Sequence, residues 1–122
     1  VILVGFKSEI EKLAKPLLAV DFDNTIVNSD SKKGYAITGL KNGVIENLKK
    51  LQKKYEIGIF SARNNVRFTD DKMKVMKEYI KEKGIPYDKI IEQKEGKPVA
   101  KYFIDDRAKH FNNNWDELGR TL

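Results

Sequence analysis

The run 17-LLAVDFD-23 constrains the chain more than any other part of it. Leu17 to Asp21 reads as a buried strand that ends in a carboxylate, and a second acid, Asp23, follows one residue later. In an extended chain, residues two apart point to the same side, so the two carboxylates share one space and repel each other. A fold gains no stability from that arrangement unless a cation stands near them. The run therefore predicts a strand whose carboxyl end carries a charged site.

The sequence limits what the cation can be. There is no cysteine and only one histidine, His110, so thiolate zinc sites and histidine clusters are excluded and a bound metal must be held by oxygen. At 122 residues the chain is expected to form one domain. No apolar run approaches the roughly 20 residues that span a bilayer, and the opening VILVGF lacks the basic flank of a signal peptide. A soluble, cytoplasmic protein is expected.

Along the chain, residues 7–15 suit a short amphipathic helix that stops at Pro16. From Asn24 to Leu40 periodicity is lost, which suits an irregular excursion or small hairpin above the strand end. Val44, Ile45, Leu48 and Leu51 fall on one face of a helix over 42–54, and 55-YEIGIF-60 is a second buried strand. A polar loop, 61–68, leads to a helix that starts at Thr69, turns Met73, Met76, Tyr79 and Ile80 inward, and ends before Gly84. Short strands at 89–91 and 100–104 follow, then a helical turn at 115–118. Strands alternating with helices of this length predict an α/β fold with a central parallel sheet.

Three of those strands end in polar groups: Asp21 and Asp23, then Ser61, then Asp105 and Asp106. In an open α/β sheet ligands bind beyond the carboxyl ends of the strands, so these residues are expected to meet in one crevice. Four carboxylates there call for a cation. Oxygen ligation with few dedicated ligands is what Mg²⁺ prefers, because it keeps waters and completes its shell with substrate phosphate.

In this order the motifs resemble those of the haloacid dehalogenase superfamily of phosphotransferases. Its first motif, an apolar strand followed by Asp-x-Asp-x-Thr, is matched by Leu17–Ile26, with Asp21, Asp23 and Thr25 in the diagnostic positions. The second resembles 57-IGIFS-61, the lysine motif is best matched by Lys97, and the paired acids by 102-YFIDD-106. The first motif often has Gly after its second Asp, where this chain has Asn24; both residues tolerate unusual backbone angles. The resemblance implies a three-layer Rossmann-like fold. Only 37 residues separate Asp23 from Ser61 and 35 separate Ser61 from Lys97, so no cap domain is expected.

The resemblance also implies roles. Asp21 attacks phosphorus, Asp23 serves as acid and then base, and Thr25 orients the Asp23 loop. Ser61 and Lys97 hold the phosphoryl group. Mg²⁺ is bound by Asp21, the Asp23 carbonyl, Asp105 and Asp106. Lys94 is an alternative to Lys97. Arg63 and Asn64 either touch substrate or belong to a surface loop. Asp30, Lys32, Lys33 and Tyr35 lie in the excursion and either screen substrates or are ordinary surface. His110, Phe111 and Trp115 read as packing or surface groups.

Charge adds a substrate expectation. Residues 32–83 carry 14 basic and 6 acidic groups, whereas the flanking stretches carry 3 and 5, and 7 and 7. Lysines on solvated helix faces account for much of this. The alternative is a surface for polyanions, with Lys32, Lys33, Arg63 and Arg67 beside the crevice, which points to a nucleotide or a nucleic-acid 3′-phosphate. A signalling receiver domain gathers similar groups, but it has its acid pair after the first strand and its phosphoacceptor mid-chain. A non-catalytic phosphate- or nucleic-acid-binding module on the same fold is the other alternative.

Overall fold

A computed structural model describes residues 15–64, 70–91, 100–105 and 112–122. The expected helix at 7–15 therefore lies outside the described residues except for Lys15, and so do Lys94, Lys97, Arg67, Asp106, His110 and Phe111. The chain forms β1 (Leu17–Asp21), a hairpin of β2 (Val27–Asp30) and β3 (Ala36–Leu40), α1 (Val44–Gln52) and β4 (Glu56–Phe60). Then come α2 (Asp70–Lys83), β5 (Lys89–Ile90), β6 (Tyr102–Ile104) and α3 (Trp115–Thr121).

Four strands make one parallel sheet in the order β5-β4-β1-β6. The chain moves outward from β1 through β4 to β5, then returns to place β6 on the other side of β1. That reversal puts a topological switch point between β1 and β6, where open α/β sheets bind their ligands. The excursion after β1 is the antiparallel β2–β3 hairpin, as its composition suggested. It is fastened to the body: Val27 is fully buried, and Ile37 and Leu40 pack against the core.

Apolar spacing explains the core. Leu18 and Val20 of β1, Ile57 and Ile59 of β4 and Ile104 of β6 join Leu48 and Leu51 of α1, Met76 and Ile80 of α2 and Trp115 of α3 in a single cluster. Each fully buried side chain of this size contributes about 1.5–3 kcal/mol relative to exposure. Helix α2 stops at Gly84, whose φ of 64° admits the left-handed turn that lets Ile85 N–H donate to the Ile80 carbonyl at 3.1 Å. Strands β5 and β6 are shorter than the sequence suggested. The pairing of β6 is extended by Lys101 N–H, which donates to the Leu17 carbonyl at 2.9 Å.

No helix of the described residues is long and apolar enough to cross a membrane.

Candidate active site

Sheet register brings Asp21, Ser61 and Asp105 to one end of the sheet. Asp21 stands level with Phe60 in the β1–β4 pairing, and Val20 with Ile104 in the β1–β6 pairing. One step further out, Ser61 follows Phe60 and Asp105 follows Ile104, so both flank the carboxyl end of β1. Asp21, Asp23 and Asp105 line one cleft of about 420 Å³, with Ser31 and Tyr35 of the hairpin tip and Phe60 among its other walls.

The chain turns sharply after Asp21. The Phe22 carbonyl accepts from Ile26 N–H at 3.0 Å and Val27 N–H at 3.2 Å, and Asn24 takes a φ of 61°. Asn24 thus occupies the left-handed region that its short polar side chain tolerates, as the sequence comparison with Gly anticipated. Thr25, expected to orient the Asp23 loop, is fully buried, which removes it from substrate, and its Oγ1 donates to Asp21 Oδ2 at 3.4 Å. Behind it, the buried Trp115 indole Nε1 donates to the Thr25 carbonyl at 2.9 Å. Trp115 is a packing residue, as expected, and it also braces the loop that bears Asp23.

The Asp23 carboxylate is held from several directions. Ser29 Oγ donates to Oδ1 at 2.5 Å and Ser61 Oγ donates to Oδ2 at 3.2 Å. Arg63 Nε reaches Oδ1 at 3.1 Å and Oδ2 at 3.0 Å, and Nη2 reaches Oδ1 at 2.8 Å. The irregular register of the hairpin falls at Asn28 and Ser29, beside the hydroxyl that reaches Asp23.

Arg63 corrects one expectation. It follows β4 in a short 3₁₀ turn at Ala62–Asn64 yet is only 3% exposed, so it is not a surface-loop residue. Its remaining contacts are internal as well. Nη1 donates to the Lys72 carbonyl at 3.4 Å, Nη2 donates to the Tyr35 carbonyl, and the guanidinium lies 5.5 Å from the Phe22 ring centroid. It therefore does not offer its charge to a polyanion, and of the four cations named for that role the described surface keeps Lys32 and Lys33, both exposed at the hairpin tip. Asp30 has a structural task there, accepting from Lys32 N–H at 3.0 Å to cap the turn.

Inside the protein, the cation beside Asp23 is the Arg63 guanidinium. Asp21 and Asp105 line the same cleft, and two carboxylates there fit Mg²⁺, which takes one or two carboxylates and keeps several waters. Among the described residues no three or more His, Cys, Asp or Glu side chains gather into a group that would hold a metal ion. Asp106 and Lys97, expected to complete the metal and phosphate sites, lie outside the described residues, as does the alternative Lys94.

Sequence reasoning missed Ser29 and the Trp115 donor. Neither carries a spacing signal, since Ser29 depends on how the hairpin returns and Trp115 lies 90 residues from Thr25. No family model, curated protein or solved structure matches the chain.

Proposed function

We propose that the chain is a Mg²⁺-dependent phosphomonoesterase of the haloacid dehalogenase superfamily, on the three-layer Rossmann-like form of that fold without a cap. The observation that carries this reading is that Asp21, Asp23 and Asp105 line one cleft, with Ser61, between the wall residues Phe60 and Ala62, hydrogen-bonded to Asp23.

Phosphate esters need an in-line nucleophile, a proton for the leaving oxygen, and positive charge around the equatorial oxygens. Asp21 attacks phosphorus as the ester P–O bond breaks, and the departing oxygen takes a proton from the Asp23 carboxylic acid. Asp23, now a carboxylate, accepts a proton from water as that water attacks the aspartyl-phosphate, releasing inorganic phosphate and restoring both carboxyl groups. Thr25 orients the Asp21 carboxylate through its hydroxyl, while Ser61 and Lys97 hold the transferring group. Asp21, the Asp23 carbonyl, Asp105 and Asp106 would hold Mg²⁺, which when bound would supply positive charge to the phosphoryl oxygens.

Lys32 and Lys33 at the hairpin tip, next to the cleft wall residues Ser31 and Tyr35, favour anionic substrates such as a nucleotide or a nucleic-acid 3′-phosphate. The experiment is phosphate release from an aryl phosphate, mononucleotides and a 3′-phosphorylated oligonucleotide, with Mg²⁺ and with EDTA. Turnover that requires Mg²⁺, and that EDTA abolishes without unfolding the protein, is expected because the metal site is made of carboxylates and waters. Binding of these ligands without turnover would instead favour a non-catalytic binding module.

A further inference from the structure

We propose that Arg63 is a positioning residue for Asp23, setting the acid–base carboxylate in place and making no contact with substrate phosphate. The inference rests on the phosphatase reading above and assigns Arg63 a different task from the substrate contact its place after Ser61 suggests.

Geometry is the first support. The guanidinium spans both oxygens of Asp23, through Nε to Oδ1 and Oδ2 and Nη2 to Oδ1, all between 2.8 and 3.1 Å. That two-point grip fixes the rotation of the carboxylate as well as its distance, which a lysine ammonium cannot do. The remaining valences are the second support. Nη2 also donates to the Tyr35 carbonyl and Nη1 to the Lys72 carbonyl, so four of the five guanidinium N–H groups have acceptors in the protein. Turning toward a phosphate would break these contacts in a side chain that is 3% exposed.

Third, the acceptors come from separate parts of the fold: Asp23 from the turn after β1, Tyr35 from the hairpin tip, Lys72 from α2. Lys72 returns the connection, since its Nζ donates to the Gly34 carbonyl of the same tip. Arg63 thereby makes the position of Asp23 depend on the hairpin lying against α2. Ser61 and Ser29 complete the cradle on the two carboxylate oxygens. An Asp side chain without the guanidinium retains those hydroxyls but loses the contact that defines its plane.

Leaving-group dependence separates this role from others. Breaking the P–O bond of an alkyl phosphate requires a proton for the departing alkoxide, whereas a nitrophenolate leaves without one. In Arg63→Gln, single-turnover phosphoryl transfer to the enzyme from an alkyl phosphate should slow more than that from 4-nitrophenyl phosphate. The aryl-to-alkyl rate ratio should rise about tenfold or more, since general acid catalysis contributes about 10²–10⁴. KM for either substrate should change little. An unchanged ratio overturns the proposal, whether both rates fall together, as for a merely structural residue, or KM rises for both, as for a phosphate contact. Should Arg63→Gln fail to fold, Arg63→Lys keeps the charge without the fork; its ratio should also rise, and a constant ratio there overturns the proposal. Wild-type protein that turns over neither substrate removes the phosphatase reading and this role with it, whereas wild-type turnover with an unmoved ratio removes the role of Arg63 alone.

Discussion

At the carboxyl end of the parallel strands a cleft of about 420 Å³ is walled by three carboxylates, while toward the amino ends of β4 and β5 a larger hollow, about 890 Å³, lies between α2 and β5. The larger hollow has Ile80, Ile85 and Ile90 among its walls, with Lys77 and Lys81 beside them. Volume and apolar lining would favour it as a binding site. The distribution of polar groups argues for the smaller cleft. The amino end also has a carboxylate, Asp88, but its short contact is from Ile57 N–H to Oδ2 at 2.6 Å, with a longer one from the Gln52 amide to Oδ1 at 3.4 Å, so it chiefly supplies a partner for a buried strand donor. Asp23 instead binds side chains, two hydroxyls and a guanidinium, in a cleft it shares with Asp21 and Asp105. A carboxylate that satisfies backbone is explained by the fold. One gathered with others among side-chain donors requires a further reason, which the proposed chemistry provides.

Substitutions at the two ends should therefore separate activity from stability. The largest effect is expected for Asp23→Asn, which would remove the proposed acid and base together: phosphate release should fall by about 10²–10⁴ while thermal denaturation still reports a folded protein. Equal turnover by the variant would detach Asp23 from the chemistry.

Trp115→Phe should act on both properties. It removes the indole donor from the Thr25 carbonyl, and a buried acceptor left without its partner costs about 1–3 kcal/mol. The loop that orients Asp21 loosens too, so kcat should drop several-fold with KM little changed. Asp88→Ala supplies the control at the other end. Losing the partner of Ile57 N–H should cost a similar 1–3 kcal/mol by denaturant titration, with kcat unchanged. A fall in kcat for Asp88→Ala as large as for Trp115→Phe would mean that activity follows global stability and that the contrast between the ends is unfounded.

Much of this contrast was legible in the sequence, and the reason is geometric. Runs such as Leu17–Val20 and 55-YEIGIF-60, alternating with helices, bury both faces in a parallel sheet covered on both sides, and such a sheet gathers whatever follows its strands. Asp21, Asp23, Ser61 and Asp105 could be placed in that way. The face of α1 and the stop at Gly84 followed from apolar spacing and a permissive residue. Arg63 could not be oriented by such rules. It sits in a polar stretch where solvent exposure is the ordinary outcome, and its inward direction depends on the hairpin folding back to present the Tyr35 carbonyl. One signal was available: a carboxylate pair that asks for a cation, with an arginine three residues past the end of the neighbouring strand. Ser29 and the Trp115 donor depend in the same way on tertiary return and left no mark in local pattern.

The central claim is that Asp21 is a nucleophile, and trapping the covalent intermediate tests it most directly. Wild-type protein mixed with an aryl phosphate and Mg²⁺, quenched in acid and mapped by peptide mass spectrometry, should carry phosphate on Asp21, and Asp21→Asn should carry none and release none. Phosphate release that persists in Asp21→Asn, or a phosphoryl group found on a different residue, would contradict the account.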